Sequence, residues 1–233
     1  MKKSMPWIRC AGFLVGLAVI LGICDFCFAP SGYVRFILHE VNRKDTQYDT
    51  IILGASHARS AINPEYLDEE LGTNTLNLAI PGETVKDAYY LLKDACESND
   101  VKTVIMDVDY QYWMDEQPQG YFTEPFICQN ITNLKVKTEY LLDNWDTIDL
   151  RNVLVRRLSW DCTWSSVKQN ISTKMTEAYR EYSIEAAGVD GKVEGADGPY
   201  IGKGFFTVTL LAVNRGVPII LICGSAVITP VST

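Results

Sequence analysis

The sequence predicts an α/β protein in three layers, α/β/α, with a parallel sheet at its centre and one apolar helix at its N-terminus. Three observations support that class. Short, nearly unbroken apolar runs at Thr50–Leu53 and Thr103–Val108 have the pattern of strands buried on both faces, as in parallel sheets. Between them, Thr84–Glu97 repeats apolar residues at Val85, Ala88, Tyr89, Leu92 and Cys96, a helical spacing. At the N-terminus an apolar run from Ala11 to Leu21 continues less cleanly to Ala29, with Asp25 as its only charge.

That first run is just long enough to cross a bilayer, which takes about 20 residues. Lys2, Lys3 and Arg9 sit on its N-terminal side, which predicts a cytoplasmic N-terminus and an extracytoplasmic main domain. A cleaved signal peptide is the rival, with Cys27-Phe28-Ala29 as an imperfect cleavage site; the bulky residues there favour an anchor. Residues 1–30 are therefore read as anchor or signal, 31–49 as a stalk with a short helix at Tyr33–Val41, and 50–233 as the main domain.

Within that domain Thr50–Leu53 is the first strand and Thr75–Ala79 the second, closed by Pro81-Gly82. Thr84 is placed to cap the next helix. Thr103–Val108 is the third strand. From about Glu116 to Gly188 the sequence is irregular and rich in Trp, Tyr and Asn, and reads as an insertion over the sheet with helices at Lys135–Leu142, Ile148–Leu158 and Ser172–Ala187. Gly188–Gly204 carries six glycines without the spacing of a phosphate loop, so a flexible surface loop is expected. Phe205–Asn214 reads as a helix and Pro218–Cys223 as a fourth strand. Only ten residues come after it, so the sheet is expected to be incomplete at its C-terminal flank.

Composition narrows the functions. With 233 residues, 47% apolar and 21% charged, the chain has material for one sizeable core. A net charge of −8, with no basic run after the first ten positions, argues against nucleic acid as a partner. Of seven cysteines, Cys96, Cys128, Cys162 and Cys223 lie outside the apolar segment and form no CxxC pair, which argues against a zinc site. Cys128 and Cys162 are read either as a disulfide or as buried free thiols. No metal or organic cofactor is expected. Asn130-Ile131-Thr132 and Asn170-Ile171-Ser172 match the glycosylation sequon, a pattern too short to decide anything.

The chemistry concentrates where the first strand ends, in "ILGASHARSAINP". A parallel sheet binds ligands at the carboxyl ends of its strands. Gly54 allows a sharp turn there, which presents the Ser56 hydroxyl as a nucleophile and the Ser56 N–H as an oxyanion donor. The second strand ends in "NLAIPGET", where Gly82 offers another N–H to the same edge. The bland alternative is a serine that only caps a helix. His57 and Asp109 are candidate substrate contacts, Asp109 equally a strand-end carboxylate bonded to backbone. Tyr110, Tyr112 and Trp113 could line a sugar cleft or pack against the insertion.

The stretch from Ile51 to about Val108 resembles the SGNH, or GDSL-like, hydrolase superfamily. It is most similar to the membrane-anchored cell-envelope branch that includes the proteins of teichoic-acid D-alanylation and alginate O-acetylation. The resemblance rests on the strand leading to Gly-Ala-Ser, the Asn63-Pro64 step, "NLAIPG" and the Tyr-containing helix after it. It implies a flavodoxin-like sheet, Ser56 as nucleophile, and Ser56 and Gly82 as oxyanion donors. Its implied activity is that of an esterase or O-acyltransferase on acyl groups of an envelope polymer; in the non-catalytic alternative the same cleft binds acylated or glycan ligands or docks with a membrane acyltransferase partner. Two departures stand out. The third block reads "MDVDYQYW", with Asp107 and Asp109 where the family brings an asparagine, and no Asp-x-x-His occurs near the C-terminus. The chain's only histidines are His39 and His57, so a non-catalytic envelope protein or an inactive, C-terminally truncated fragment is the competing expectation.

Overall fold

The computed structural model describes residues 6–29, 31–108, 123–146, 148, 162–187, 199–207 and 225–228. The helices are α1 (Pro6–Phe28), α2 (Tyr33–Glu40), α3 (Ser56–Ala61), α4 (Pro64–Leu71), α5 (Val85–Cys96), α6 (Thr123–Asn130), α7 (Leu134–Asp143), α8 (Val167–Lys174) and α9 (Glu177–Arg180). A 3₁₀ turn covers Ile184–Ala187. The strands are β1 (Thr50–Leu53), β2 (Thr75–Asn77), β3 (Thr103–Asp107), β4 (Tyr200–Gly202), β5 (Phe205–Phe206) and β6 (Ser225–Ile228).

The fold is mixed α/β around a small parallel sheet. β1 lies at its centre, parallel to β2 on one side and to β3 on the other, with Thr50 opposite both Thr75 and Thr103. Alternation along β1 sends side chains to opposite faces. Ile51 and Leu53 enter a large core with Leu76 and Leu78, Ile37 and Leu38 of α2, Leu91 of α5, Ile127 of α6 and Tyr140 of α7. Ile52 faces the other way, into a smaller cluster with Ala58, Ala79 and Ile105 that Ile62 and Leu67 cover. Both faces of β1 are thus buried, which is why its four residues carry no alternation. The stretch read as a stalk supplies α2, with Phe36, Ile37 and Leu38 inside the large core.

Polar side chains join the pieces. Thr84 caps α5 as expected, in a reciprocal capping box with Asp87. Asp87 also accepts from the Tyr140 hydroxyl at 2.6 Å, which ties α7 to the start of α5. Asn99 is buried and accepts from the Tyr48 N–H at 2.9 Å. It also donates to the carbonyls of Val41 and Ala95, at 2.6 and 3.0 Å. One amide thereby links the entry to β1, the end of α2 and the end of α5. At the edge beside β2, Lys203 binds Asp68 and Asn74, and its carbonyl accepts from the Asn77 N–H at 2.9 Å.

α1 ends in an unusually complete cap. The last carbonyls of a helix have no partner inside it. Here Lys174 Nζ donates to the carbonyls of Phe26 (2.7 Å) and Ala29, and Asn170 Nδ2 to those of Cys27 (2.8 Å) and Ala29 (3.0 Å). The Cys162 N–H donates to the Phe28 carbonyl at 3.2 Å. The side chain of the Asn170 sequon is spent on this cap. Asn130 likewise donates to the Phe126 carbonyl at 2.7 Å.

Several expectations are corrected. The fourth sheet strand is Ser225–Ile228, and it runs antiparallel to β3, with Asp107 opposite Ser225; the predicted strand at 218–223 lies outside the described residues. Ser172–Ala187 is no single helix. α8 stops at Lys174, Thr176 starts α9 by accepting from the Tyr179 N–H, and the left-handed Tyr182 separates α9 from the 3₁₀ turn. Residues 200–206, read as the end of a flexible loop and the start of a helix, form the β4–β5 hairpin, which Lys203 pins to β2. Aromatic packing overrides helical spacing there, because Tyr200 and Phe206 rings meet at 5.1 Å and Tyr33 and Phe206 rings at 5.2 Å. Cys128 and Cys162 are both free thiols, Cys128 buried. The remainder of the Gly188–Gly204 loop, most of Ile148–Leu158, and 208–214 lie outside the described residues.

Asn99→Ala strands the Tyr48 N–H and the Val41 carbonyl in the core, and is expected to cost about 2–4 kcal/mol. Urea unfolding of the two proteins measures it, and an unchanged midpoint would refute this joint.

Candidate active site

β1, β2 and β3 run in the same direction, so Leu53, Asn77 and Asp107 end at one edge of the sheet. Neighbouring strands stand about 4.8 Å apart, so the turns leaving adjacent strands emerge side by side.

After β1 the chain turns at Gly54, whose φ is +145°. A Cβ there would lie 2.7 Å from the Ala58 Cβ and 2.9 Å from the Asp107 Cβ. Only glycine fits, since both the space and the backbone angle exclude a side chain. α3 begins immediately at Ser56, with Ala55 as its cap residue. The bland reading of Ser56 as the cap therefore fails. Its side chain is exposed, and as a first-turn residue its N–H has no acceptor within the helix.

After β2 the chain closes a tight turn over Ile80-Pro81-Gly82-Glu83. The Glu83 N–H donates to the Ile80 carbonyl at 3.0 Å, and Gly82 has φ +77°. Proline at the second position and a positive-φ glycine at the third are the requirements of a type II turn.

One side chain joins the two turns. Glu83 is 3% exposed. One carboxylate oxygen accepts from the Gly54 N–H at 2.8 Å and the other from the Ile80 N–H at 2.9 Å. Burial pushes its pKa well above the usual carboxylate range; the two N–H donors oppose that shift, and nearby Asp87 adds to it. The carboxylate thus ties the residue two before Ser56 to the residue two before Gly82. Asn77 braces the same region from below: its Nδ2 donates to the Ala58 and Ile62 carbonyls at 2.9 and 3.1 Å, and its Oδ1 accepts from the Ala79 N–H at 3.2 Å.

Ser56 and Gly82 thus stand in the turns that leave β1 and β2 at one sheet edge, where Asp107, whose Cβ borders Gly54, also ends its strand. Asp109, with Tyr110, Tyr112 and Trp113, lies outside the described residues. His57 is exposed on α3, one residue on from Ser56, which turns its side chain about 100° around the helix axis. His39 is used elsewhere. Its ring stacks on Tyr182 at 3.6 Å, and the same Tyr182 ring carries the Arg35 guanidinium at 3.8 Å. Burial, then Arg35 and Lys137, lower the His39 pKa to about 4. Arg59 of α3 stands over the Phe206 ring at 4.7 Å.

Glu83 was missed by sequence reasoning. The signal was present as a charged residue directly after Pro-Gly at a strand end, but its burial depends on β1 lying alongside.

Removing the Glu83 bridge is expected to loosen both turns. Glu83→Ala leaves two buried N–H groups without acceptors, a loss of about 2–4 kcal/mol. Glu83→Gln retains one acceptor oxygen and is expected to lose about half as much, measured by chemical denaturation.

His39 gives a pH signature. Its pKa is about 4 in the folded chain, against about 6.5 unfolded. Between those values the unfolded state binds more protons, so this contribution is intact above the upper value and is lost as pH falls towards 4. Wild type is expected to lose stability relative to His39→Phe over that window. A constant difference between the two unfolding curves would count against it.

No protein-family model matches the chain, and it matches neither a curated protein nor a solved structure.

Proposed function

We propose that the chain is a membrane-anchored, serine-dependent esterase or O-acyltransferase of the SGNH type, acting on acyl groups of a cell-envelope polymer. The observation that carries this reading is the Glu83 bridge. It fastens the Gly54–Ser56 turn to the Pro81–Gly82 turn at one sheet edge, with the serine exposed. Ser56 Oγ attacks the acyl carbonyl, and the N–H groups of Ser56 and Gly82 receive the negative charge that develops on its oxygen. The acyl–oxygen bond of the donor ester then breaks, its alcohol leaves with the proton given up by Ser56, and the acyl group stays on the serine. Water or a polymer hydroxyl attacks that acyl-serine in turn, and its proton returns to Ser56 Oγ as the serine is released. A membrane acyltransferase partner is a fitting source of that group. On this reading the three parallel strands belong to a flavodoxin-like α/β/α sheet. α1 spans the membrane with the domain on the extracytoplasmic side. Its support is a length and apolarity sufficient to cross a bilayer over Trp7–Phe28 and the basic residues before it.

A specific observation favours a second reading. Serine is a weak nucleophile without a base, and His39 is committed away from Ser56. His39 is stacked on Tyr182, and His57 projects from the adjacent helix position. The same rim would then bind acylated ligands without reacting.

Labelling of the full, folded chain with a fluorophosphonate separates the two. An enzyme is expected to label, and Ser56→Ala to abolish the signal while leaving the unfolding midpoint nearly unchanged. A folded wild-type chain that takes no label supports the binding reading.

A further inference from the structure

The end of α1 points to an interaction surface. α1 is apolar over Trp7–Phe28, and those 22 residues span about 33 Å at 1.5 Å per residue. That matches a hydrocarbon core of about 30 Å, so Phe28 falls at the boundary opposite Trp7. Interfaces favour tryptophan. α1 carries one at its start, Trp7, and none at its end. There the folded domain supplies it: the Trp164 ring packs edge-on against Phe28 at 5.0 Å and is 85% exposed. No free tether separates helix from domain at this point. The carbonyls of Phe26, Cys27, Phe28 and Ala29 each receive a donor from Cys162, Asn170 or Lys174. Lys174 is itself 6% exposed, a cation seated at the negative end of the helix dipole. Terminal carbonyls near the hydrocarbon have little water to bond, and these do not need it.

We propose that the segment Cys162–Lys174 is a membrane seat, which holds the domain directly on the bilayer with Trp164 at the lipid headgroup–acyl boundary. The proposal rests on α1 spanning the membrane. It commits to phospholipid as the occupant because the exposed ring is continuous with the end of the apolar helix. An 85%-exposed tryptophan packed on that end shares its depth.

Two single-tryptophan forms of the full chain test it in nanodiscs whose phosphatidylcholine carries bromine either high or low on the acyl chains. In one, Trp7, Trp113, Trp145 and Trp160 are replaced by Phe and only Trp164 remains; in the other only Trp7 remains. Trp164 is expected to lose most of its emission to the shallow bromines and little to the deep ones. If Trp7 is quenched and Trp164 is not, α1 is in the bilayer but the domain stands off, and the seat is refuted. If neither is quenched, the membrane-spanning reading fails and the seat with it. Hydroxyl-radical footprinting of the unsubstituted chain in nanodiscs avoids any effect of the substitutions on folding. Trp164 is expected to oxidise several-fold more slowly than Trp145, which lies just past α7 and is 69% exposed. Equal or faster oxidation of Trp164 overturns the seat.

Discussion

A buried carboxyl group is costly because it leaves water. Glu83 accepts that cost at the carboxyl edge of the sheet, with both of its oxygens filled by backbone N–H groups from separate turns. Backbone donors leave little alternative: the Gly54 and Ile80 N–H groups are buried where no strand continues to accept from them, and each would otherwise be an orphan. The rim depends on this bond pair. It sets the β1 turn against the β2 turn, and with them the exposed serine and the glycine of the type II turn.

The same principle recurs through the molecule. The apolar core fills the space between elements, but hydrophobic burial is non-directional and does not choose among nearby registers. Buried polar groups do. Asn99 fixes α2 and α5 to the entry of β1, Asp87 fixes α7 to the start of α5, and Asn77 fixes α3 to β2. Each joins segments far apart in sequence, and each is costly to leave half-satisfied. At the other end of the chain, Asn170 and Lys174 do for α1 what a capping residue does for an ordinary helix, so the apolar helix and the domain behave as one bonded unit at that junction.

On the proposed acyl-transfer reading, the arrangement separates two requirements. Holding an acyl oxygen needs fixed N–H donors, and the turns around Ser56 and Gly82 are built from backbone whose geometry is set by glycine angles and by Glu83. Activating the serine needs a proton acceptor, and His39 is committed to other surroundings. His39 is kept neutral by burial beside Arg35, which makes it a packing ring between α2 and the Tyr179–Tyr182 turn.

Local chemistry determined a good part of this protein from sequence alone. The apolar helix, the three parallel strands, the Thr84 cap and the Gly54 and Pro81-Gly82 turns are each specified by residues within a few positions of one another. Backbone angle, side-chain branching and capping act at that range. Other features came only with the tertiary structure: the antiparallel β6, the β4–β5 hairpin in a glycine-rich stretch, the breaks after Lys174 and the burial of Glu83. For β6, the hairpin and Glu83 the deciding partner lies far along the chain. Asn77 holds Lys203, Tyr33 packs on Phe206, and Gly54 donates to Glu83. A sequence pattern records which face of an element is apolar, whereas a hydrogen bond between distant turns exists only once the strands that carry them lie side by side.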